Sequence, residues 1–224
     1  MNLPYRKVLR MENITTNSAF SLRDYTGYLF PGIILMLNIP ILWPDTLKWI
    51  TDNELISILL VLTGGYFAGL AAHFFFWNIL KPIIYQFTGD PSEELVFADS
   101  GPFSKILSTK FRNETRTLIM KDFSLNCLSE LRNIELFYLC SRYVSSIQHP
   151  TVAQIERLIT QTNASAGFAG STFVSAGLLA FYVDLLFLFG FVLSATFSAA
   201  FIQGRRKVTE NIFWIYYLKK KNLI

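Results

Sequence analysis

From Ala164 to Ile202 the chain runs for 39 residues in which Asp184 and the phenol of Tyr182 are the sole ionisable side chains. A helix rises about 1.5 Å per residue, so a single helix of that length would overshoot a hydrocarbon core of about 30 Å. The stretch therefore reads as two crossings, residues 164–182 and 185–203. A tight turn at Tyr182–Val183–Asp184 joins them and keeps the carboxylate in water.

Two further stretches, residues 25–43 and 55–77, are apolar enough for the same role. Composition agrees: 16% of residues are charged, against about 25% in soluble domains. The opening 24 residues mix charge and polarity without an apolar h-region, so they are not a cleavable signal and the first apolar stretch must direct insertion. Pro31–Gly32, Asn38 and Pro40 interrupt that stretch. A kinked span is expected. A re-entrant segment is the alternative, because Pro31 placed at the first helical position leaves little chain before Trp43.

Basic residues set the orientation. Arg6, Lys7, Arg10 and Arg23 precede the first span, nine more lie between Lys81 and Asn163, and six follow Gln203, leaving Lys48 alone elsewhere. Positive residues are retained on the cytoplasmic side, which predicts cytoplasmic termini and a cytoplasmic middle segment. Tyr25, Tyr28, Trp43, Trp49, Trp77 and Tyr85 fall where interfacial aromatics belong. The sequons at Asn13, Asn113 and Asn163 then face away from the glycosylating compartment, and Cys127 and Cys140 are expected to stay reduced.

The expected fold is an all-α membrane protein, with four transmembrane helices in two hairpins and a cytoplasmic helical insertion between the second and third. The expected divisions are a cytoplasmic N-terminal segment 1–24, a first hairpin 25–80, a cytoplasmic region 81–163, a second hairpin 164–203 and a basic tail 204–224. In the middle, Gly89–Asp90–Pro91 and Ser100–Gly101–Pro102 are turn signals, so residues 82–103 read as irregular. Apolar positions from Phe111 to Tyr138 recur at threes, fours and sevens, predicting helix over residues 109–147. His149–Pro150 stops it. Pro150 starts a helix whose stripe, Val152, Ile155 and Ile159, runs into the third span. The tail sets an apolar run, residues 212–218, between two basic clusters. It reads as a segment lying in the lipid interface, or as an anchor that ends the fourth span.

Small residues recur at helical spacing: Gly65, Gly69 and then His73 in the second span, Gly167, Ser171 and Ser175 in the third, Gly190, Ser194 and Ser198 in the fourth. Such stripes let helices approach closely in lipid. They fit packing inside one bundle, contacts between subunits of a homo-oligomer, or a narrow polar pathway. Tyrosines aside, His73 is the one titratable group well inside a span. It reads either as a functional group or as a neutral imidazole packed near the interface. No nucleophile–base arrangement, phosphate-binding glycine loop or metal-ligand spacing occurs, and Glu93–Glu94 reads as a solvated pair. Neither a cofactor, a metal, an enzymatic activity nor a nucleic-acid partner is expected.

The entry Asp24–Tyr25–Thr26–Gly27–Tyr28–Leu29–Phe30–Pro31–Gly32, and the run IELFYLCSRYV followed by HPTVAQIERLITQTNASAGFAG and an apolar pair of spans, resemble uncharacterised bacterial four-helix inner-membrane proteins. Where those proteins often carry an Arg before the third span, this chain has Thr162–Asn163. The resemblance implies an inner-membrane location and, for some members, a role in phage defence as membrane-disrupting effectors or partner subunits. Two functional expectations result. One is a self-associating, channel-like or membrane-perturbing component of the bilayer. The other is a membrane anchor that recruits a soluble cytoplasmic partner through residues 109–163.

Overall fold

The computed structural model describes residues 25–45, 54–147 and 150–223, with no side-chain description for residues 54–56. The N-terminal basic cluster, the Asn13 sequon, Lys48, Trp49 and His149 lie outside the described residues. Every regular element among the described residues is helical. Four helices are long and apolar enough to cross a membrane, as a multi-pass membrane protein requires: Tyr25–Leu42, Ser57–Thr88, Pro150–Tyr182 and Leu185–Lys220.

Helix α1, Tyr25–Leu42, is 18 residues long, about 27 Å at 1.5 Å per residue. It opens with a π-helical turn, Tyr25–Leu29, and bends at Leu37, between Phe30–Met36 and Asn38–Leu42. The bend has a covalent cause. Pro40 has no N–H to return to Met36, and its ring crowds that carbonyl. Helix α2 runs through Glu54–Phe75, a second π-helical turn Phe76–Leu80, and Lys81–Thr88. Both π turns end two residues before a proline, Pro31 and Pro82. Widening the helix there removes the clash a proline ring makes with the carbonyl four residues back. Residues 82–88 are therefore helical, which corrects the irregular reading of this stretch.

A short helix α3, Pro91–Glu94, follows, capped by the Asp90 carboxylate, which accepts from Ser92 N at 2.8 Å. The single helix expected over residues 109–147 is two helices, α4 Thr109–Asp122 and α5 Asn133–Ser145. Ser124 takes a positive φ of 52°, and the Glu130 carboxylate accepts from the N–H groups of Asn126 and Cys127 at 2.8 and 3.2 Å. These local bonds supply the partners that a continuous helix would have supplied. Helix α6, Pro150–Tyr182, is a single helix of 33 residues. Asp184 then accepts from Leu186 N at 2.7 Å and starts a 3-10 turn, Leu185–Phe189, that leads into α7, Gly190–Lys220.

Helix α7 does not stop at the basic residues. It continues for 31 residues, about 46 Å. Its last turns pack with α4, α5 and the start of α6 around a core that includes Leu95, Val96, Ile119, Leu136, Phe137, Ile212, Phe213 and Tyr216. These packed elements form the head of the molecule. The tail is thus the central helix of the head, and the reading of residues 212–218 as a segment on the lipid surface is corrected. Lys220 and Lys221 pair with Asp122 and Glu114 of α4 at 2.8 and 3.1 Å, instead of standing free for lipid. The Tyr217 hydroxyl donates to Glu114 at 2.7 Å, and that of Tyr216 donates to Asp122.

Candidate functional site

The candidate residues of the apolar half face other helices of the same chain. A Cβ at Gly32 of α1 would collide with the backbone of Gly65 in α2, and one at Gly69 would collide with the carbonyl of Tyr28. Position 65 is tight as well, with Ile33 Cγ1 3.2 Å from where its Cβ would be. The index along α1 falls as that along α2 rises, so the two run antiparallel with their backbones in contact. Gly167 of α6 meets the Gly27 carbonyl and Pro31, and Gly170 meets the carbonyl of Ala72. Gly190 of α7 lies against Ala176, and Gly204 against Thr162 of α6. Thr162 is itself buried, which leaves no room for an arginine at that position.

The serines are placed alike. Ser175 Oγ accepts from the Asn38 amide at 2.8 Å, a buried bond that ties the bend of α1 to α6. Ser194 Oγ donates to the Ala169 carbonyl at 2.8 Å. Ser171 and Ser198 are buried among the helices. Three stripes thus become one set of contacts inside the chain, joined by an asparagine that the sequence shows only as an interruption.

His73 stands apart from this set. It lines a cleft of about 650 Å³ with Tyr28, Leu70, Ala71, Phe74, Trp77, Asn78 and Asn163. Its ring meets Tyr28 edge-on with centroids 5.1 Å apart and lies 5.9 Å from Trp77. No carboxylate or thiol lines this cleft, and among the described residues no group of three His, Cys, Asp or Glu side chains could hold a metal ion. The cleft offers amide, aromatic and imidazole groups.

In the head, polar side chains hold the loop before α4. Arg116 donates from Nε to the Val96 carbonyl at 2.7 Å and from Nη2 to that of Phe97 at 2.8 Å. Arg112 reaches the Ala98 carbonyl. Arg116 also pairs with Asp99 at 2.8 Å, and its hydrogen bond and charge hold that carboxyl below its ordinary range. These two arginines carried no motif. Only a helix start at Ser108 one or two turns earlier would have placed them on the loop. Both cysteines are free. Cys140 is buried, and desolvation pushes its thiol up, away from the reactive thiolate.

No protein-family model, curated protein or solved structure matches this chain. The functional reading therefore rests on its own geometry.

Proposed function

We propose that the chain is a four-span protein of the bacterial inner membrane, with both termini in the cytoplasm and two transmembrane hairpins flanking the helical insertion. In this reading it is a non-enzymatic anchor and accessory subunit that presents its head to a soluble cytoplasmic protein. One observation carries it: α6 and α7 each leave the apolar half without a break and enter the packed core of the head. A head mounted on two continuous helices holds a fixed position at the membrane surface, which is what an anchored recruiting surface requires. The small-residue faces that a pore or an oligomer would use are already filled within the chain. An accessory role is also what the bacterial resemblance implies for some of its members.

Self-association as a channel-like or membrane-perturbing component is the second reading. It is favoured by the outer faces of α2 and α7, where Phe67, Phe74, Val192 and Leu193 are exposed. Lipid tails cover such a face as readily as a second copy does.

Expression of the tagged full chain separates the two. The anchor reading expects an unchanged membrane potential, and one soluble protein that co-purifies with the wild type and is lost with a head variant such as Phe213→Ala. Depolarisation that Val192→Trp or Phe67→Ala abolishes, with nothing co-purifying, overturns it in favour of self-association. An externally active reporter fused after Leu223 is expected to stay silent, and a signal from it would overturn the orientation.

A further inference from the structure

Where the apolar half meets the head, α7 reaches α2 through a cluster of rings. Phe201 of α7 packs against Phe76, Trp77 and Tyr85 of α2, with ring centroids 4.8, 5.7 and 6.3 Å away. One turn beyond Trp77 stands Lys81 on α2, and one turn beyond Phe201 stands Arg205 on α7. Neither makes an ion pair among the described residues; the ion pairs there belong to Arg112, Arg116, Arg132, Lys220 and Lys221. Aromatic faces hold these two cations instead. The Lys81 ammonium is 4.4 Å from the centre of the Trp77 ring and 5.0 Å from that of Tyr85, and the Arg205 guanidinium is 5.2 Å from the Phe137 ring.

The donors around them lack acceptors. Trp77 Nε1, the Tyr85 hydroxyl and Arg205 Nε are buried with no hydrogen-bond partner, with Tyr85 and the Arg205 guanidinium within reach of one another. Buried donors left without acceptors are costly. Asp90 and Glu93 are the acids within electrostatic reach of Lys81. Asp90 caps α3 through one oxygen, and neither acid lies within ion-pair distance of Lys81 among the described residues. Two cations, an indole N–H and a phenol thus converge at one level of the molecule, the level at which apolar chain gives way to polar chain.

We infer that Trp77, Lys81, Tyr85 and Arg205 form a binding site for a phosphate-bearing anion, the headgroup of an anionic phospholipid seated between α2 and α7. A phosphodiester offers acceptors to the Lys81 and Arg205 cations, and reaches the buried Trp77 and Tyr85 donors only when the side chains around them move apart. It also bears the charge that a lysine and an arginine at a membrane boundary attract. The acyl chains would then run along the apolar faces of the same two helices. The site rests on the bilayer placement proposed above.

The test is native mass spectrometry of the full chain in detergent, titrated separately with phosphatidylglycerol, phosphatidylcholine and inorganic phosphate. Retention of phosphatidylglycerol over phosphatidylcholine is expected. It should fall at least tenfold in the double variant Lys81→Gln, Arg205→Gln and stay unchanged in Lys105→Gln, Lys110→Gln. The charge-keeping pair Lys81→Arg, Arg205→Lys separates loss of the site from loss of folding and is expected to retain the lipid. Phosphatidylglycerol bound equally by the double variant, or no preference over phosphatidylcholine, overturns the site. Inorganic phosphate that binds where phosphatidylglycerol does not assigns the same donors to a soluble anion and overturns the headgroup. A chain that needs detergent for extraction yet retains no anion sinks the site and leaves the membrane placement standing.

Discussion

The two halves of this molecule are held together by opposite means. In the apolar half, α1, α2 and α6 meet through what is missing: Gly32 against Gly65, Gly69 against Tyr28, Gly170 against Ala72, and rings enter chiefly where α7 joins them. In the head they meet through bulk, with Phe137, Phe213, Ile212 and Tyr216 almost wholly buried. The solvent explains the contrast. Lipid tails are as apolar as leucine, so burying a large side chain between membrane helices gains little, and close backbone approach with a few hydrogen bonds does the work. In water each square ångström of apolar surface removed is worth roughly 25 cal/mol, and large rings are the efficient choice. The same helix, α7, obeys both rules in turn, with Ser194 and Ser198 at one end and Phe213 and Tyr216 at the other.

Truncating a ring in the head therefore has the largest effect. Phe213 is 0% exposed, and Phe213→Ala is expected to cost about 3–5 kcal/mol. It should release amide protection across α4 and α5 while leaving α1 and α2 protected in hydrogen exchange on the detergent-solubilised chain. Protection lost evenly in both halves would mean that they are one cooperative unit. The next effect is the reverse substitution in the other half. Gly69→Leu drives a side chain into the Tyr28 carbonyl and is expected to cost about 3 kcal/mol, the upper end for overpacking. The readout is protease sensitivity of α1, with the head intact.

The smallest effect is acid. Asp99 is held below its ordinary value of 3.8 by its hydrogen bond with Arg116 and that residue's charge. Glu114 is held below 4.5 by hydrogen bonds from Tyr217 and Lys221. A lowered carboxyl stabilises the fold fully above its unfolded value, and the contribution is lost as pH falls through the folded one. The head should therefore melt slightly earlier below about pH 4, and the apolar half should not. Asp99 is exposed and Glu114 is half-buried, so solvent screens both and the shift is small, and Arg116→Gln with Lys221→Gln should flatten it. A pH-independent head melt in the wild type would remove these pairs from its stability.

The spans and the start of α6 at Pro150 were legible because length, apolarity and proline act locally. What escaped reading depended on partners distant in sequence. Residues 212–218 present the same apolar and basic pattern whether the neighbour is lipid or Phe97 and Phe137, and only the fold shows that it is protein. The break after Asp122 was hidden because Leu125, Leu128 and Leu131 keep a helical spacing while packing on the head core from a segment whose one regular element is the 3-10 turn Leu128–Glu130. At the candidate site, the small residues could be picked out but not paired. Asn38 and Ser175 are 137 residues apart, and no local periodicity links them.

On the bilayer placement proposed above, the two long helices shared between membrane and head act as levers. Helix α6 spans 33 residues, about 50 Å, so a tilt of about 5° around its middle swings each end by roughly 2 Å. Whatever grips the head at its outer edge therefore also shifts the far turn at Asp184. A change in bilayer thickness that reorients α6 reaches the head surface by the same mechanical route.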